Sequence, residues 1–293
     1  MIISASRRTD IPAFYSNWFM NRIRAGFVKT RNPFNAKRVR TISLSPLDVD
    51  VIVFWTRNPS ALMKHLTELD KRGFRYYFHY TITGYPRILE RKTPDLNTAI
   101  QTFQALSDQL GPHRVIWRYD PVFLSSHSPL EHHIQTFSTI AQSLEGYTNR
   151  VVISLIDLYA KTTRNLDKIE QLSFTDLKVY NQIRDDLLHP LKEIAHTHQI
   201  NMQSCAEETN LSSLSIPAGK CIDDDLIFQD FNIRLCNKKD KGQRKACRCI
   251  PSVDIGVYNS CLHGCEYCYA TSNANRAQHN YQKHDPNGPF LIE

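Results

Sequence analysis

The first 204 residues of this 293-residue chain contain no cysteine, and the whole of it holds only ten glycines. There is no G-x-G-x-x-G and no G-x-x-x-x-G-K, which excludes the usual glycine-rich phosphate cradles. Nor is there an H-E-x-x-H, a deaminase signature or an arrangement that reads as Ser–His–Asp. No uncharged apolar run approaches the roughly 18 residues of a membrane span. Arg7, Arg8 and Asp10 stand where a signal peptide would need its apolar stretch. A soluble, cytoplasmic protein without membrane partners is expected. Wholesale disorder is excluded too, because 41% apolar residues against 22% charged support a sizeable core. The length suits one large α/β domain with an appendage, or two ordinary domains.

What is there is unevenly placed. All eight cysteines (Cys205, Cys221, Cys236, Cys247, Cys249, Cys261, Cys265 and Cys268) lie at or beyond position 205. A disulfide scaffold would be a short secreted chain with cysteine throughout, so clustered thiols point to metal instead. Cys236, beside Leu235, reads as a buried small hydrophobe, and Cys205 is the next candidate for that role. The formal charge is +7, and residues 1–40 supply Arg7, Arg8, Arg22, Arg24, Lys29, Arg31, Lys37, Arg38 and Arg40 against Asp10 alone. Such an excess fits nucleic acid through counterion release, and equally a solvated face or a pocket for a carboxylate.

Two periods alternate along residues 1–205. β-Branched and aromatic runs stand at Ile2–Ala5, Val51–Trp55, Tyr76–Ile82, Val115–Arg118, Val151–Leu155 and Ile200–Gln203. Between them, apolar residues recur at helical spacing: Phe14 to Ile23, Leu62 to Leu69, Leu96 to Leu110, Leu130 to Leu144, and Leu177 to Ile194 with a break at Pro190. Asn58-Pro59 and Ser128-Pro129 read as helix starts, and Gly26, Gly73, Gly111 and Gly146 as left-handed helix ends. The alternation predicts an α/β fold, a partial or complete (β/α) TIM-like barrel with a C-terminal cysteine-rich segment. Residues 1–205 would form the barrel repeats, 206–252 a turn-rich segment ordered by metal, and 253–293 a last strand at 253–258, a cysteine loop and a loose polar tail. Strand ends carry the chemistry of such a barrel. Here they read Ser6-Arg7-Arg8-Thr9-Asp10, Trp55-Thr56-Arg57-Asn58, His79-Tyr80-Thr81, Arg118-Tyr119-Asp120, Ile156-Asp157 and Gln203 to Glu208.

The sharpest motif is Cys261-Leu-His-Gly-Cys265-Glu-Tyr267-Cys268. Three thiolates spaced C-x3-C-x2-C can hold one cube of iron and sulfide and leave its fourth iron open, whereas zinc sites more often pair two C-x2-C units. With Gly264 for the turn and an aromatic before the last cysteine, the loop resembles that of the radical S-adenosylmethionine enzymes. Tyr258 to Ala270 is most similar to the spore photoproduct lyase branch. The resemblance implies a 4Fe–4S cluster on Cys261, Cys265 and Cys268, binding of S-adenosylmethionine with Tyr267 beside the adenine, and a flavodoxin- or ferredoxin-like electron donor. It also implies reductive cleavage of that cofactor to a 5′-deoxyadenosyl radical, which abstracts hydrogen from a substrate. In those enzymes the cluster follows the first barrel strand, and here it follows the last. Val51 to Pro59 resembles their third strand. A circular permutation, with strand 253–258 beside 2–5 closing the sheet, reconciles the two orders. From Ile2 to the terminal cysteines the chain also resembles a bacterial and archaeal family catalogued as a domain of unknown function. The Gly-Gly-Glu run that binds the methionine amine in many relatives is absent. Gly264, Ser6, Arg7, Thr56 and Arg57 are therefore candidate cofactor contacts from position alone.

Four further thiols, Cys205, Cys221, Cys247 and Cys249, would close a second site, an auxiliary Fe–S cluster or a structural zinc. Cys205 or Cys249 is alternatively a catalytic hydrogen-atom donor, with Arg118 and Asp120 at the rim beside Cys205. His132-His133 and His196-x-His198 lie on polar helical faces and read as solvated or structural. The competing view of the whole is a zinc-stapled nucleic-acid-binding protein without redox catalysis.

Overall fold

Seven strands lie side by side, all parallel, in the order Asn201–Ser204, Arg150–Leu155, Val115–Val122, Tyr76–Thr81, Val51–Thr56, Ile2–Ala5 and Val253–Asp254. This computed structural model describes residues 1–32 and 35–293. The strand sequences are near-continuous apolar runs because both faces are covered: Val51, Ile52, Val53 and Phe54 are all buried. The covering helices carry the expected stripes. In Leu96–Leu110, Asp95 accepts the Thr98 N–H as N-cap, and Ala99, Ile100, Phe103, Leu106 and Leu110 turn inward. The result is an α/β sheet in permuted order, a (β/α) barrel-like architecture with its cysteine-rich stretch at the C-terminal end.

The last strand does sit beside the first, with Val253 opposite Ile3 and Asp254 opposite Ser4. It is shorter than expected, ending at Asp254 instead of residue 258. The Asp254 carboxylate explains the stop, since it accepts from Ser4 Oγ (3.0 Å), Ser6 Oγ (2.7 Å) and the N–H groups of Arg7 (2.9 Å) and Gly256 (3.0 Å). The chain is turned there into a loop. Among the described residues no ladder joins Val253–Asp254 to Asn201–Ser204, so the sheet stays open where closure was expected.

Other local expectations need correction. Pro190 does not break its helix; Asn181–Thr197 runs through it because Leu187, Leu188, Leu191 and Ala195 hold one buried face. Ser128 does not cap the helix Leu130–Leu144, since its hydroxyl pairs with Ser125 Oγ (2.7 Å). Gly111 ends its helix at a positive φ of 89°, as a glycine stop should, but its ψ of 154° lies outside the left-handed helical turn. Cys236 is exposed, not buried. Residues 206–250 contain a short helix, Asp224–Phe231, which Asp223 caps. The tail is docked, not loose: Trp18 Nε1 donates to Gly288 O (3.0 Å), Arg22 to Asn287 O (2.8 Å), and Lys29 N to Pro289 O (2.9 Å). The antiparallel hairpin of Phe27–Asn32 and Asn35–Ser43 had no counterpart in the sequence reading. None of the described helices is long and apolar enough to cross a membrane.

Candidate functional site

The C-terminal ends of the strands deliver their polar residues to one cavity of about 590 Å³. Seven of the eight cysteines line it: Cys205, Cys221, Cys247, Cys249, Cys261, Cys265 and Cys268. Ser6, Arg7, Thr56, Arg57, Arg118, Asp120 and Tyr267 line it as well, whereas Gly264 does not. A larger cavity of about 750 Å³ opens where Arg150 and Asn201 begin their strands, and no thiol reaches it.

The C-terminal triad sits on a loop that is tied down along its length. Tyr15 Oη donates to Ser260 O (2.7 Å), Asn259 N to Ala270 O (3.0 Å), Lys92 N to His263 O (2.9 Å) and Glu266 N to Leu89 O (3.0 Å). Gly264 supplies the reversal at φ +68°, and Cys268 N closes a turn on Cys265 O (3.1 Å). Burial pushes the Cys261 thiol up to about 12 and raises that of Cys265 strongly. Two features work the other way. Backbone N–H groups of His263 and Asp10 point at the Cys261 sulfur, and the Arg57 charge lies near Cys265. Three unbridged sulfur donors with N–H groups and a cation beside them fit a thiolate-bound cluster, which needs its ligands deprotonated.

Arg57 is fixed by a buried carboxylate that the sequence did not reveal. Glu90 pairs with its Nη1 at 2.8 Å, Thr83 donates to the same carboxylate (2.5 Å), and the Tyr267 hydroxyl binds it too. Arg57 Nη2 in turn reaches Tyr267 Oη at 2.5 Å. The Tyr267 ring packs edge-on against Tyr85 and Phe123, which leaves it little freedom. Asp10 is the second hub. It caps its own short helix at Ala13 N (2.9 Å) and accepts from Thr56 Oγ1, Arg57 N and His263 Nε2, each at 2.7 Å. The Thr56 and Ser6 hydroxyls are thus already engaged, by Asp10 and Asp254, in holding strand ends. Two buried nitrogens on this wall have no hydrogen-bond partner among the described residues, Arg7 Nη2 and His263 Nδ1.

The other four thiols come from three places. Cys205 follows the Asn201–Ser204 strand, and the excursion after it is stitched back by Ser204 N to Pro217 O (2.9 Å) and Gly219 N to Ser204 O (2.8 Å). That return puts Cys221 Sγ 3.1 Å from Cys205 Sγ. Ile250 N bonds to Ile222 O (3.2 Å) and Ile222 N to Cys249 Sγ (3.3 Å), which brings the Cys247–Cys249 turn alongside. Contacts run in a row, Cys205 to Cys221 to Cys249 to Cys247, and the hydrogen bonds from Cys221 and Cys247 lower the Cys249 thiol. Arg118 Nη1 reaches Cys221 Sγ at 3.0 Å while its other nitrogens hold Asp120, which Ser154 also contacts. Trp55 has two guanidiniums near its ring, Arg7 at 5.0 Å and Arg118 at 5.2 Å, and stacks on His79. Burial keeps His79 neutral, with Nε2 donating to Cys221 O (2.7 Å).

Among the described residues the carboxylates of Asp223, Asp224 and Asp225 also lie close together, but Arg150 pairs with the first and Lys220 with the other two. His133 is buried, not on a polar face. It bonds Tyr119 Oη (2.8 Å) and Phe123 O (2.9 Å), a satisfied structural histidine.

A permuted barrel-like sheet with a cysteine-lined cavity at its strand ends defines the class of protein. Residues 2–270 match the family described as "Domain of unknown function (DUF1848)", and the chain belongs to that family. No curated protein matches it.

Proposed function

We propose that this protein is a radical S-adenosylmethionine enzyme whose 4Fe–4S cluster is held by Cys261, Cys265 and Cys268. The observation that carries the reading is the C-x3-C-x2-C loop, which starts at the end of an edge strand and faces a cation-lined cavity at the strand ends. When bound, the cluster and S-adenosylmethionine supply one-electron cleavage of the cofactor and hydrogen abstraction from a substrate. The chain's own residues bind and orient. Arg7 and His263 line the cavity beside the cysteine loop, where they would meet the polar groups of a bound cofactor. Arg57, locked by Glu90 and Tyr267, holds positive charge beside the cysteine loop. Tyr267, braced by Tyr85 and Phe123, is placed to flank a planar ring. The triad thiols are half-buried in the cavity wall, where a bound cofactor and substrate would displace water.

Anaerobic purification tests this directly. Brown protein absorbing near roughly 400 nm that forms 5′-deoxyadenosine and methionine when reduced with S-adenosylmethionine is the expected result. Colourless protein containing only zinc would overturn it. That outcome favours the second reading, a zinc-stapled nucleic-acid binder, which rests on the exposed Lys37, Arg38 and Arg40 of the hairpin. The substrate is a further open term of the proposal, and the basic N-terminal region makes nucleic acid one class to assay.

A further inference from the structure

The four thiols between Cys205 and Cys249 are not spaced as ligands of the metal centres expected there. A tetrahedral zinc ion about 2.3 Å from each sulfur draws all four to within about 4 Å of one another. As placed they form a row, and among the described residues no three lie mutually within 4.8 Å. A four-iron cube spreads its ligand sulfurs about 6 Å apart, whereas Cys205 Sγ and Cys221 Sγ are 3.1 Å apart. Neither centre fits. That one contact is shorter than the roughly 3.5–4.0 Å at which carbon atoms rest against each other. The backbone builds it: Ser204 bridges Ala218 in parallel register, with Ser204 N on Pro217 O (2.9 Å) and Gly219 N on Ser204 O (2.8 Å). Both thiols are free. Closure to a disulfide, at about 2.05 Å between sulfurs, takes about 1 Å of further approach.

We propose that Cys205 and Cys221 form a redox-active dithiol, oxidised reversibly to a disulfide by exchange with a low-molecular-weight disulfide that enters the cavity. The two positions divide the work. Cys205 is half-exposed on the cavity wall, where it meets the reagent, and Cys221 is buried behind it. Cys205, its proton lost to solvent, attacks one sulfur of the reagent; the reagent's S–S bond breaks and one thiolate leaves with the electron pair. Cys221 gives its proton to that thiolate and attacks Cys205 Sγ, and the mixed disulfide releases the second thiolate, which takes a proton from solvent. The two cysteines lose two electrons and two protons in all, and the reagent gains them as two thiols. Arg118 Nη1, 3.0 Å from Cys221 Sγ, favours the thiolate that the second attack needs. The pair shares no residue with the C-terminal triad, so it does not depend on the radical reading.

Thiol mapping tests the pair. Anaerobically purified protein is held with oxidised glutathione, quenched in acid, alkylated and cut with trypsin, which separates the two cysteines after Lys220. The parent should lose both alkylatable thiols to a Cys205–Cys221 link and regain them with dithiothreitol, while the exposed Cys236 stops at a simple adduct. Cys221→Ser should stop at a glutathione adduct on Cys205, and Cys205→Ser should leave Cys221 unmodified. The parent result stands by itself should a variant fail to fold. Both thiols alkylated in the treated parent, or a link from Cys221 to Cys249 instead, would overturn the pair. So would a metal ion that survives the treatment in the parent and is lost with Cys221→Ser, because it would make these thiols ligands. Failure of the radical reading shows elsewhere, as protein without iron that forms no 5′-deoxyadenosine.

Discussion

The two thiol groups differ in how the chain assembles them. The triad occupies eight consecutive positions, 261–268, and its geometry is set by one turn at Gly264 and a few backbone hydrogen bonds to residues 89–92. The other four sulfurs are gathered from positions 205 to 249 by a strand end, a return loop and a second turn. Each group has its own arginine: Arg57 with Glu90 near the triad, Arg118 with Asp120 near the tetrad. A local motif carries its own order, whereas a dispersed one borrows order from the segment it staples.

That contrast can be broken most directly at the ligands. Cys265→Ala is expected to abolish 5′-deoxyadenosine formation and to leave far-ultraviolet circular dichroism unchanged, because the barrel core is built from elements that do not depend on the triad. Cys249→Ala should instead loosen residues 206–250, read as proteolysis within that stretch. Identical behaviour of the two variants, both folded or both unfolded, would erase the distinction.

The arginines give the next effect. Arg57→Met strands Glu90, whose side chain is 4% exposed, and should destabilise by about 3–5 kcal/mol in urea. Arg118→Met strands Asp120, which is 19% exposed and better hydrated, so its loss should be the smaller. The reverse order would mean that the tetrad wall is the more rigid one.

Two buried titrating groups sharpen the comparison through pH. Glu207, two residues past Cys205, is pushed by burial from the ordinary 4.5 up to about 7. The folded state therefore holds a proton that the unfolded state releases, so this contribution is full below pH 4.5 and lost as pH rises through 7. His133, beside Tyr85 on the triad's side, is pushed by burial from 6.5 down to about 4. Its contribution is full above pH 6.5 and lost as pH falls through 4. Each is worth about 2–3 kcal/mol across its window. Urea midpoints between pH 4.5 and 6.5 should rise with pH in Glu207→Gln relative to the parent, and fall with pH in His133→Gln.

The smallest effect falls at the joint between the first and last strands. A Cβ on Gly256 would lie 2.5 Å from Ser6 Cβ, so Gly256→Ala should cost about 1–3 kcal/mol by urea titration. A neutral result would show that the edge strand can shift without harm.

Much of this was legible beforehand. Strand positions, the aromatic core residues, the glycine helix ends at Gly26 and Gly73, and the rim segments all follow from periodicity and turn chemistry. Tyr267 and Arg57 could be named, but their partner could not. Glu90 lies in an irregular stretch with no period, and backbone pairing of residues 89–92 with the cysteine loop brings it to the site. Asp10 was visible as a rim residue, yet its four partners come from positions 13, 56, 57 and 263. Cys236 was misjudged because a neighbouring Leu235 says nothing about depth. His133 has the structural role expected of it but not the polar face, because its helical face meets Tyr119 and Phe123 only in three dimensions.

The joint between the termini has a consequence for biogenesis. Ser4 and Asp254, bonded at 3.0 Å, are 250 positions apart, so a ribosome must make nearly the whole chain before the strand Ile2–Ala5 acquires its outer neighbour. Until then that strand presents an open edge, a template for pairing with another nascent chain. The loop with Cys261, Cys265 and Cys268 emerges just after the strand that covers this edge. A chain stalled before residue 253 would have a nearly finished core, an unguarded edge and none of the three C-terminal thiols proposed to hold a cluster.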